Sequence, residues 1–71
     1  MVDMIVVESS NILEIGYDGE AGELHVRYKS SPSSYVYQNV PQEVYERLMS
    51  SSSKGTFVNA EIKNVYQFYR G

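Results

Sequence analysis

Tyr35-Val36-Tyr37-Gln38-Asn39-Val40-Pro41-Gln42-Glu43-Val44-Tyr45-Glu46-Arg47-Leu48 changes its period halfway, and that change decides the fold. Up to Asn39, Tyr35 and Tyr37 alternate with Val36 and Gln38, the two-residue period of a strand with one aromatic face. Val40-Pro41 then opens a helix, because proline suits the first helical turn, where its missing N–H is not needed. Val44, Tyr45 and Leu48 form an apolar stripe that predicts a helix over Gln42–Ser50 lying on the sheet. Glu43 and Arg47, four apart, form an expected ion pair on its wet side.

Upstream, Leu24, Val26 and Tyr28 alternate with His25, Arg27 and Lys29, the plainest half-buried strand of the chain, with a polar, cationic outer face. Asp18-Gly19-Glu20-Ala21-Gly22 before it reads as a turn, since glycine tolerates positive φ and the Asp side chain can bond nearby backbone. An earlier strand follows from Ile12 to Tyr17, with Leu13, Ile15 and Tyr17 expected on the core face. Ser9-Ser10-Asn11 reads as a turn, and Met4 to Val7 as either a short edge strand or an arm whose partner lies on another chain.

Downstream, Ser50 to Ser53 ends the first helix and Lys54-Gly55 reads as a loop. Val58, Ile62 and Val65 at i, i+4 and i+7 predict a second short helix over Phe57–Asn64 capped by Thr56, while Thr56-Phe57-Val58 also satisfies a strand. Val65 to Arg70 is expected as an extended aromatic tail laid on the domain. The fold expected is therefore α+β: a three-stranded antiparallel meander packed against one helix, plus a short second C-terminal helix, in one domain over residues 1–71 with a possible arm at 1–7.

A chain of 71 residues buries only about 60% of the surface its unfolded form exposes. So thin a core leaves little room for a lidded substrate cavity. The chain holds no cysteine, which excludes disulfides, thiolate metal sites and cysteine nucleophiles together, and the lone His25 cannot build a multi-histidine centre. Met4 to Val7 is too short for a signal peptide or a membrane span, so the expectation is a cytoplasmic protein without membrane contact. The net charge of -3 is unevenly distributed: all 6 Lys and Arg follow residue 23, whereas Asp3, Glu8, Glu14, Asp18, Glu20 and Glu23 precede or occupy it.

Several separated blocks carry a family resemblance: Ser9-Ser10-Asn11-Ile12, Ile15-Gly16-Tyr17-Asp18, Tyr35-x-Tyr37, Val40-Pro41 with Val44-Tyr45-x-x-Leu48, and Ser53-Lys54-Gly55-Thr56-Phe57-x-Asn59-x-x-Ile62-Lys63. In this order they resemble the KTSC domain, a small bacterial and phage module found alone and at the C-terminus of some lysyl-tRNA synthetases. The resemblance implies no established activity; its association with a synthetase suggests RNA contact. Val58 and Asn64 stand where the family often has a second aromatic and a second basic residue.

Two places offer ligand chemistry. Tyr35 and Tyr37 on a sheet face could stack on bases, with Arg27, Lys29, Lys54, Lys63 and Arg70 nearby for phosphates; equally, their rings could cover the thin core. Lys54-Gly55-Thr56, ahead of the second helix, suits a phosphate or a terminal carboxylate, with Asn59 close behind, and the same glycine could instead serve only the connection. His25 reads as a solvated histidine, and the acidic Asp18 to Glu23 loop lacks the ligand pattern of a calcium loop. Neither catalytic residues nor a cofactor can be assigned. The function expected is a non-enzymatic binding module contacting RNA or another phosphate-bearing ligand, with a protein-interaction or self-assembling module, or a phage-type protein capturing a nucleotide or host factor, as the alternatives.

Overall fold

The computed structural model describes residues 2–71. Five strands, β1 (Ile5–Val6), β2 (Ile12–Asp18), β3 (Glu23–Tyr28), β4 (Ser34–Tyr37) and β5 (Phe68–Arg70), lie in chain order in one antiparallel sheet. Between β4 and β5 the chain leaves the sheet to form α1 (Gln42–Ser50) and α2 (Lys54–Phe57), the latter continuing through a wide helical turn over Val58–Ile62. The class is α+β as the sequence predicts, but the sheet has five strands where three were expected.

The two additional strands are its edges. Ile5 pairs with Ile15 and Val6 with Glu14, so the Met4 to Val7 segment resolves in part as an edge strand rather than an arm awaiting another chain. The aromatic tail pairs too, with Phe68 opposite Tyr37 and Arg70 opposite Tyr35. Neither segment reaches four residues, too short for periodicity to announce it.

The hairpin between β2 and β3 closes as its sequence predicts. Asp18 Oδ1 accepts the N–H groups of Glu20 and Ala21 at 3.1 and 3.2 Å, and Gly22 adopts a φ of 68°. Within β2 the register shifts between Ile12 and Glu14. This bulge puts two successive residues opposite one and slips the alternation, so Ile12 is buried with Ile15 while Leu13, expected inside, is exposed. Asn39, expected to finish the third strand, instead takes a left-handed φ of 59°, a conformation Asn tolerates better than most residues. It turns the chain out of β4, and Val40 N–H then bonds Gly22 O at 2.9 Å, tying the start of the helical segment to the hairpin.

α1 spans the residues the sequence predicts, and Leu48 in its last turn is fully buried. Val44 and Tyr45 pack on the core edge, Tyr45 stacked on Tyr17 with centroids 4.8 Å apart. The expected Glu43–Arg47 pair is absent from the ion pairs among the described residues; the Arg47 guanidinium lies over the Phe57 ring instead, 5.5 Å from its centroid. α2 begins at Lys54, three residues earlier than expected, with Ser53 rather than Thr56 at its cap position, and the strand alternative for Thr56 to Val58 is excluded. Lys63 N–H reaches back to Val58 O at 2.8 Å, the five-residue step of a π-turn, and this places Val58 and Ile62 in the core.

The core lies between the sheet and these helices: Ile12, Ile15, Leu24, Val26, Tyr37, Val40, Leu48, Val58 and Ile62. The opposite face of the sheet is less open than its residues suggest. Val36 is buried there, and Gly16 sits so close to the N-terminal segment that a Cβ would lie 2.5 Å from Met4 Sδ and 2.6 Å from Val2 Cγ1. The missing Cβ at Gly16 makes room for these two side chains.

Candidate functional site

Two regions are rich in hydroxyl groups. The first is the tyrosine cluster of β3 and β4. Tyr37 is 1% exposed, its hydroxyl 3.1 Å from that of Tyr28, and Phe68 packs on its ring at 5.5 Å. Tyr35 is half-buried between Tyr28, edge-on at 5.3 Å, and Phe68, stacked at 5.2 Å. Arg70 covers the Tyr35 ring at 5.2 Å and donates from Nη2 to its hydroxyl at 2.8 Å. Burial pushes the phenols of Tyr28 and Tyr37 above the usual tyrosine range. Tyr37 therefore cannot present a face to a base, and Tyr35 is already sandwiched.

The second region joins two segments far apart in sequence. Glu8, Ser9, Ser10 and Asn11, leading into β2, face Ser52, Ser53, Lys54, Gly55, Thr56 and Asn59 of the α1–α2 junction across a polar cleft of about 450 Å³. Ser9 Oγ fixes the first wall: it accepts the N–H groups of Asn11 and Ile12 at 3.4 and 3.2 Å and donates to Asn11 Oδ1 at 3.1 Å. Asn11 O in turn accepts the N–H of Lys29 at 2.9 Å, anchoring the turn to the end of β3. Asn11 Oδ1 lies so near α2 that a Cβ on Gly55 would stand 2.5 Å from it. Gly55 is thus present for close approach of the two walls, and its φ needs no special freedom.

The second wall keeps donors without protein partners among the described residues. No side chain caps the start of α2: Ser53 Oγ is 2.9 Å from Thr56 Oγ1 rather than bonded to a backbone N–H. Uncapped first-turn N–H groups are orphan donors that need a partner or water. Lys54 Nζ spends one of its three hydrogens on Ser51 O at 3.1 Å, which leaves two. Glu8 lines the same cleft, so its walls are polar and rich in donors rather than strongly electropositive.

The structure thus gathers Lys54, Gly55, Thr56 and Asn59 into one place and disperses the other residues singled out from the sequence. Arg27 is paired with Glu14 at 3.4 Å on the outer face. Lys29 is exposed beyond β3, and Lys63 borders a separate groove beside the tail. His25 is not solvated as expected but half-buried, 3.9 Å from Glu23, with its Nε2 lacking a hydrogen-bond partner among the described residues. Sequence reasoning treated Ser9-Ser10-Asn11 as a turn only. The signal that it belonged to a site was its place among the same separated blocks as Ser53 to Asn59, with an unexplained glycine in the latter.

Among the described residues no helix is long and apolar enough to cross a membrane. A family model described as the KTSC domain matches residues 8–66, a span that holds both walls of the cleft and stops short of β1 and β5. A protein of Tsukamurella paurometabola is 40% identical over 57 residues, covering 80% of this chain and 84% of that protein. An uncharacterized protein of Stutzerimonas stutzeri is 34% identical over 67 residues, covering 93% of each. The crystal structure of a KTSC domain protein from Yersinia pestis superposes with a TM-score of 0.94 at 31% identity, covering 100% of this chain and 99% of that one, edge strands included. With most of its length matched by the family model and its whole fold shared with a solved member, this chain belongs to the KTSC domain family.

Proposed function

We propose that this chain is a non-enzymatic binding module that holds a phosphate of an RNA strand in the cleft between Ser9–Asn11 and Lys54–Asn59. The observation that carries this reading is the hydrogen-bond balance of the cleft: Lys54 keeps two free hydrogens and the α2 start is uncapped. Phosphate oxygens are strong acceptors that match backbone N–H groups, hydroxyls and one ammonium. Among the described residues His25 does not line the cleft and Glu8 is the one carboxylate that does. With Glu8 offsetting Lys54, binding draws on hydrogen bonds more than on net charge. Its salt dependence should therefore be shallow, near the value for about one neutralised phosphate.

Fluorescence anisotropy of a labelled short single-stranded RNA at low salt tests this. Binding that weakens in Lys54→Ala and Asn59→Ala, while Lys63→Ala behaves as wild type, is the expected result. Absence of binding at low salt, or binding indifferent to all three changes, overturns it.

A second reading, self-assembly, rests on the sheet edges, where Ile5, Val6 and Phe68 are 47%, 73% and 48% exposed. Exposed apolar edge strands are templates for pairing with another chain. Light scattering during gel filtration decides it: a dimer lost on deleting residues 1–7 favours assembly through β1, and a monomer at high concentration removes that reading.

A further inference from the structure

The cleft has a neighbour across a narrow ridge. Ser52, Ser53 and Thr56 line both the cleft and a second hollow of about 340 Å³, whose far side is made by Arg47, Phe57 and Glu61. In that hollow the Arg47 guanidinium sits over the Phe57 ring, 5.5 Å from its centroid, rather than pairing with Glu43 on its own helix. Arg47 is exposed and Phe57 half-buried, so the pair presents a cation-bearing flat surface to solvent next to the proposed phosphate position.

We infer that a strand whose phosphate lies in the cleft lays the adjoining base over this ridge onto the Arg47–Phe57 shelf. The inference rests on the cleft reading above and adds base contact to it. Single-stranded RNA is bound by stacking unpaired bases on aromatic rings and on guanidinium planes, and the exposed Arg47 guanidinium, backed by the Phe57 ring, offers such a plane. Each hollow holds one carboxylate, Glu8 in the cleft and Glu61 in the second, so the Arg47–Phe57 pair is what sets the second hollow apart. A carboxylate accepts hydrogen bonds from exocyclic amino groups, so a base on the shelf beside Glu61 is favoured as cytosine, adenine or guanine over uracil. The two hollows are thus unlike in chemistry, one lined by hydroxyls, Lys54 and the α2 start, the other by the Arg47–Phe57 pair. That division matches the two halves of a nucleotide.

The test compares a short single-stranded RNA with the same strand carrying abasic sites, both labelled, in anisotropy titrations at low salt. A 2-aminopurine placed in the intact strand serves as a stacking reporter. The intact strand should bind roughly five- to a hundredfold tighter than the abasic one, the range of a single base–aromatic stack. Its 2-aminopurine fluorescence should be quenched on binding. Arg47→Ala should remove both the preference and the quenching, the ratio of the two affinities being the readout because loss of a nearby cation weakens both strands alike. Arg47→Lys keeps the charge without the plane, and should lose most of the preference, so that charge and stacking are told apart. Equal affinity of the two strands for the wild type, or a preference that survives Arg47→Ala, overturns the shelf and leaves the phosphate cleft standing. Failure of both strands to bind overturns both.

Discussion

The tyrosine cluster and the polar cleft are built from similar groups and have opposite hydrogen-bond balances. In the cluster, Tyr28 and Tyr37 satisfy one another, and Tyr35 is held by Arg70. In the cleft, Ser9 and Asn11 brace one wall, but the uncapped start of α2 and two hydrogens of Lys54 face outward. Buried polar groups in a finished core find partners. What separates the packing region from the candidate binding region here is therefore which polar groups remain unspent, since residue type alone leaves both places open.

The largest effect that would sharpen this contrast is on stability. Tyr37→Ala removes a ring that is 1% exposed and should cost about 3–5 kcal/mol, the usual range for aromatic-to-alanine changes in a core. In a domain of this size that is a large share of the total, measurable as a lowered urea midpoint. Tyr37→Phe, which only deprives Tyr28 of its partner, should cost about 1 kcal/mol. A Tyr37→Ala protein as stable as wild type would break the comparison on its core side.

Gly55→Ala should do the reverse. Alanine gains about 1 kcal/mol of helix propensity over glycine, whereas its Cβ, 2.5 Å from Asn11 Oδ1, forces that side chain to rotate off Ser9. The two nearly cancel, so stability in urea should stay within about 1 kcal/mol of wild type. Affinity for single-stranded RNA should fall about tenfold, as one or two charge-assisted bonds are disturbed. A strongly destabilised Gly55→Ala protein would mean that the cleft is itself packing.

Alkaline pH probes the cluster more gently. Burial raises the Tyr28 and Tyr37 phenols, so the folded state keeps protons that the unfolded state releases above its ordinary tyrosine value of 10.0. Stability is then fully present below pH 10 and declines as pH rises beyond it. The decline should be shallower in Tyr28→Phe, followed by circular dichroism across that range. Smallest of all, Lys29→Ala and Lys63→Ala, exposed and outside the cleft, should change stability by less than about 0.5 kcal/mol and leave RNA affinity as it is.

Much of the fold was legible because local chemistry and tertiary structure agree. Pro41 and the serine run bracket α1, and Asp18 with Gly22 closes the hairpin. Illegible parts are those where a distant contact overrides the local signal. The bulge at Ile12 breaks the alternation that placed Leu13 inside, and β1 and β5 are strands only because β2 and β4 offer them edges. Gly55 has poor helix propensity, yet lies in the first turn of α2 where Asn11 comes up against it. The candidate site follows the same division. Lys54, Gly55, Thr56 and Asn59 could be singled out from one segment, but their partners at Ser9 to Asn11 are more than forty residues away along the chain. Nothing local says that the two meet.

Backbone amide chemical shifts, followed while a short single-stranded RNA is added to labelled protein at low salt, test the central claim most directly. The account predicts that the amides of Ser9 to Asn11 and Lys54 to Asn59 move together with saturating, ligand-dependent shifts, while those of Tyr28, Tyr35 and Tyr37 stay in place. Shifts centred on Tyr35 and Tyr37, or none anywhere, would contradict it.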